Sequence, residues 1–110
     1  MIIYAELVSG RTLTATAATY YTAPTYTQAA IHACSATNPT GAPVTVNLYR
    51  VPLGGSAGFQ TKIATRVIAA GATSSLIDAI NHKLAPGSQI FADGLGCSLN
   101  ISGIEYIPAN

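Results

Sequence analysis

Turn signals cut most of this chain into pieces of strand length. Ser9-Gly10, Asn38-Pro39-Thr40-Gly41, the run from Pro52 to Gly58, Ala70-Gly71, Ala85-Pro86-Gly87 and Asp93-Gly94-Leu95-Gly96 are the punctuation. Between them lie segments of about 7 to 11 residues rich in Thr, Val, Ile and Tyr, the residue types that fit a pleated, half-buried surface. A chain of 110 residues supports one domain around one core. The pattern predicts an all-β fold, an antiparallel β-sandwich of about seven to nine strands with jelly-roll connectivity. Residues 1–11 form an N-terminal strand or arm, and residues 12–110 the β-sandwich domain.

Alternation with period two assigns faces. Val44, Val46 and Leu48 share one face. In the next segment Ile63, Thr65 and Val67 share a face, with Lys62 and Arg66 opposite. Cys97 to Ser102 alternates until Gly103, where a slip by one residue would carry Ile104 and Tyr106 to the inner face. A strand glycine at a phase slip is where a β-bulge sits. Thr73-Ser74-Ser75 could cap a helix over Leu76 to Lys83, but its place between Ala-Gly and Pro-Gly turns in a β-patterned chain predicts a strand.

Charge is scarce. Five Lys and Arg and four Asp and Glu make up 8% of the chain, against roughly 25% in an ordinary soluble domain. A folded chain of this mass exposes about 5,700 Å², so its surface carries roughly one charge per 600 Å². Hydrophobic residues still reach 49%, so the chain folds. Small neutral residues replace the missing charges, and such a surface suits broad contact with other proteins. A net charge of +1, spread along the chain, leaves no basic stripe for nucleic acid. No run approaches the length of a membrane span. The segment Ile2 to Ala5, interrupted by Glu6, is too short for a signal peptide, which places synthesis and folding in a cytoplasm.

No residue set carries catalysis. His32, His82, Asp78 and Cys34 have no metal-ligand spacing. Asp78 and Asp93 are the only imaginable carboxylate pair for glycosidic cleavage, and a sandwich this small offers no cleft for them. Cys34 and Cys97 read as small buried thiols, with a disulfide left open if their strands lie side by side. Catalytic, cofactor and metal residues are therefore none. Tyr20, Tyr21 and Tyr26 offer flat amphipathic contact area, with Pro24 holding the segment extended. Phe59, just past the glycine-rich loop, either anchors that loop to the core, the preferred reading, or projects as an apolar contact. Asn100-Ile101-Ser102 fits a glycosylation sequon by accident in a chain without a secretion signal.

The order of strands and turns carries a resemblance. Ala18-Thr19-Tyr20-Tyr21-Thr22-Ala23-Pro24 is followed by Asn38-Pro39-Thr40-Gly41 and then by the strand from Val44 to Pro52. Ile68 to Thr73, Leu84 to Ile90 and Ile101 to Glu105 complete the series. Over residues 12–107 this resembles small β-sandwich structural proteins of tailed bacteriophages, in particular capsid decoration (cement) proteins. The resemblance implies a non-enzymatic virion protein on the capsid surface, made in the host bacterial cytoplasm. Its partners are then the major capsid protein and its own copies, as a dimer or trimer, with no nucleic acid and no membrane. Expected contact residues are Ile2, Ile3, Tyr4, Tyr20, Tyr21 and Tyr26. The alternatives are a tail or fibre component and a carbohydrate-binding module, a function jelly rolls also host.

Overall fold

A computed structural model describes residues 1–108. Among the described residues nine strands form: β1 (Ile2–Thr12), β2 (Ala18–Thr22), β3 (Gln28–Thr37), β4 (Val44–Val51), β5 (Lys62–Ile68), β6 (Thr73–Ser75), β7 (Lys83–Leu84), β8 (Gln89–Asp93) and β9 (Ser98–Tyr106). One sheet has the order β1-β9-β3-β6, with β7 also on β3, and the other has the order β2-β8-β4-β5. All pairs are antiparallel. This strand order across two facing sheets is the jelly-roll arrangement, as the turn spacing predicts. The stretch after Thr73 is only partly strand: β6 stops at Ser75, a 3-10 turn spans Ile77–Ala79, and β7 is two residues long. Leu76 and Ala79 plug the core from that turn.

Leu7, Ile31, Cys34, Ala36, Leu99 and Ile101 line the core from the five-stranded sheet. Val46, Leu48, Ala64, Ile68, Ile90 and Ala92 line it from the other. A fully buried Leu or Ile contributes about 1.5–3 kcal/mol. β3 reads Gln-Ala-Ala-Ile-His-Ala-Cys-Ser-Ala-Thr, a poor strand by propensity, yet it is central. Its place between β9 and the β6–β7 edge overrides propensity.

One expectation about faces holds and one fails. In β5 Ile63, Thr65 and Val67 do share a face opposite Lys62 and Arg66, and the inner face is the one in phase with the charges: Ala64 and Ile68 are buried, while Val67 is 64% exposed. The phase follows the pairing with β4, where Arg66 lies opposite buried Val46 and Ala64 opposite buried Leu48. In β9 the alternation passes through Gly103 without slipping. The irregularity falls instead on β3, between Ile31 and Ala33, leaving His32 as the extra residue opposite. Gly103 is required there because a Cβ would collide with the carbonyl oxygen of Ala30.

The two poles of the sandwich differ. β1 and β3 begin, and β9 ends, at what we call the terminal pole. There the Met1 amine donates to the Ile107 carbonyl (2.7 Å), and the Ile107 N–H donates to the Met1 carbonyl (2.8 Å). At the far pole the buried Asn38 amide donates to the Ala42 and Ile68 carbonyls, while its oxygen accepts from the Thr40 N–H and hydroxyl. Asn38 thus holds the β3–β4 turn to the end of β5 with both ends of its amide satisfied.

Candidate assembly surface

Because β9 keeps its phase, Leu99, Ile101 and Gly103 point inward while Ile104 and Tyr106 point out. Directly opposed residues of an antiparallel pair share a face. Ile2 of β1 lies opposite Tyr106, which lies opposite Gln28 of β3; Tyr4 lies opposite Ile104, which lies opposite Ala30. Two adjacent rows of mostly apolar side chains therefore cross the outer face of the five-stranded sheet near the terminal pole. Tyr4 is 86% exposed, Ile2 59% and Tyr106 41%. Beside Ile104 and Tyr106 a depression of about 520 Å³ runs toward Leu84 and Ala85. A second, of about 830 Å³, adjoins it at Gln28 and carries Tyr26 and Pro86.

The six expected contact residues divide. Ile2 and Tyr4 lie in these rows, and Ile3 faces the sandwich interior at its margin. Tyr26 stands at the same pole, exposed, with a φ of 64° that bulky residues rarely adopt. Tyr20 and Tyr21 lie on β2 of the other sheet, outside these rows and half-buried against the core. The Tyr21 hydroxyl donates to the Glu105 carboxylate on the opposite sheet, and Arg11 lies 5.4 Å over the Tyr20 ring. Ile104 and Tyr106 belong to the patch, whereas a phase slip at Gly103 would carry them to the inner face. Unbroken alternation through Gly103 is the signal that would have placed them.

Phe59 does not anchor its loop. It is 92% exposed, with the Lys62 ammonium 5.0 Å from its ring and 5.9 Å from that of Tyr49. The loop is held instead by Thr61, whose hydroxyl accepts from the Gly58 N–H and lies within bonding distance of the Ser56 carbonyl.

The fold has counterparts among solved structures. A chain from Bacillus endospore appendages, described as a novel family of disulfide-linked pili, aligns with a TM-score of 0.55 and 24% identity over 98% of this chain and 89% of that one. Chains of the T13 IBDV viral particle (TM-score 0.49, 11% identity, 97% of this chain and 31% of that one) and of infectious bursal disease virus strain Gx (0.45, 13%, 97% and 32%) also align. What the pilus chain shares with this one is the fold. No protein-family model matches the chain, and no curated protein matches it.

Asp93 ties neighbouring strands of the four-stranded sheet together. Asp93 accepts from the Asn47 amide (2.8 Å) and the Tyr49 hydroxyl (3.1 Å). Burial, and next the Asp93 hydrogen bond, push the Tyr49 hydroxyl up. Cys34 and Cys97 are free thiols, 3% and 0% exposed. Cys34 lies opposite Ile101, four residues along β9 from Cys97, so the two do not meet. Burial pushes the Cys34 thiol up to about 12 and raises that of Cys97. Among the described residues, no group of three or more His, Cys, Asp or Glu side chains is placed to hold a metal ion.

Proposed function

We propose that this protein is a non-enzymatic structural subunit that works in association with copies of itself. The observation that carries this reading is the pair of apolar rows, Ile2–Tyr106 and Tyr4–Ile104, on a sheet face that a solitary sandwich would present to water as polar. A near-neutral surface favours it as well, because few charges must be desolvated when broad faces meet. The near full-length likeness to a pilus chain supports an assembly role. With both thiols enclosed, the association proposed for this chain is non-covalent.

In its more specific form the assembly is a phage virion, and the chain decorates the capsid by stapling neighbouring major capsid subunits; a tail or fibre position is the variant of that form. Sedimentation and negative-stain microscopy of the purified protein, alone and mixed with purified shells, test both levels. Association without any partner is the expected result. Association only on shells would select decoration and remove self-assembly as the primary role. A monomer that ignores shells but binds a glycan array would replace the proposal with carbohydrate recognition.

A further inference from the structure

We infer that the free edge of β1 pairs antiparallel with the same edge of a second copy over Ile2–Glu6, around a two-fold axis at Tyr4. The inference rests on the assembly reading above and specifies its contact. The two sheets have four edges, and three are blunted. β5 carries Lys62 and Arg66. β2 has five residues and a bulge between Thr19 and Tyr21. The edge beyond β3 is split between β6, of three residues, and β7, of two. Charge, brevity and bulging are the devices that keep sheet edges from pairing.

β1 lacks them in its first half. Its eleven residues are interrupted by register shifts after Glu6 and after Val8, but Ile2 to Glu6 pair with β9 in unbroken register. This stretch contains no Lys and no Pro, and Glu6 is its single charge. The bulge bounds the pairing on one side, so the regular segment pairs with itself about its middle residue. Tyr4 then meets Tyr4 of the second copy on the outer face, Ile2 meets Glu6, and Ile3 meets Ala5 on the inner face. No like charges oppose one another, and the central pair is aromatic on aromatic, a favourable cross-strand combination. The apolar rows of the two copies then join into one continuous face. A five-residue edge is small beside stable interfaces, so the pairing is weak and is read over a concentration series.

Sedimentation velocity over a concentration series, on the parent and on Tyr4→Lys and Tyr4→Glu, tests this. Tyr4 is 86% exposed, so both variants keep the fold, which circular dichroism checks. Each variant alone sets like charges across the axis and should remain monomeric where the parent pairs; an equimolar mixture should pair again. Variants that associate as the parent does would overturn edge pairing and leave the assembly reading standing. Loss of association without recovery in the mixture would overturn the two-fold register. A parent that stays monomeric throughout would remove self-association between free copies, and the edge contact with it.

Discussion

Tyr21 on β2 and Glu105 on β9 join the two sheets at the terminal pole through one hydrogen bond, hydroxyl to carboxylate, 2.5 Å long. The two residues are 84 apart in sequence, and their strands lie in different sheets. Desolvation and the carboxylate together make this phenol harder to ionise than usual. The pair belongs to the stability of the sandwich, and its position beside the outward rows separates stability from association in experiments.

Tyr21→Phe should destabilise the protein by about 1–2 kcal/mol, the value of a charge-assisted hydrogen bond discounted for partial exposure. The melting temperature should fall by roughly 5–10 °C. Self-association should be unchanged once the protein is folded. Urea titration and sedimentation of the same sample check both.

Stability should decline in alkali. The Tyr21 hydroxyl ionises at a higher pH folded than its ordinary value of 10.0, so the folded state holds that proton more tightly. Its contribution is fully present below pH about 10 and is lost as pH rises toward the folded value. Cys34, raised from 9.0 to about 12, acts in the same direction from pH 9 upward. Denaturation midpoints between about pH 8 and 11 should fall in the parent and fall less in Tyr21→Phe.

Cys34 and Cys97 should not react with a thiol reagent in the native protein, because both are buried and both favour the neutral thiol. Both should react in denaturant. Rapid native labelling of either would contradict its placement.

Gly103→Ala should be severe, about 3 kcal/mol or more, since the added methyl meets the Ala30 backbone rather than a movable side chain. Asn38→Ala leaves the Ile68 carbonyl and the Thr40 N–H without their partner, while the Ala42 carbonyl and the Thr40 hydroxyl still have each other, and should cost roughly 1–3 kcal/mol. Chemical denaturation of each variant provides the measurement.

Turn residues and period-two alternation were enough to determine an antiparallel sandwich with jelly-roll spacing, and sparse charge determined the character of its surface. Val46 and Leu48 could be placed on one shared face from sequence because alternation there is unbroken, and both are buried. Which of two alternating faces becomes the inside was decided elsewhere. Arg66 opposite Val46 set the phase of β5, and the bulge at His32 let β9 run through Gly103 with Ile104 and Tyr106 outward. Phe59 illustrates the same limit: a large apolar residue beside a flexible loop implies an anchor, but only the path of that loop decides whether the core is within reach. Alternation is a property of one strand, whereas facing requires a second sheet. The patch at Ile2, Tyr4, Ile104 and Tyr106 joins the two ends of the chain, and only the tertiary pairing of β1 with β9 brings them together.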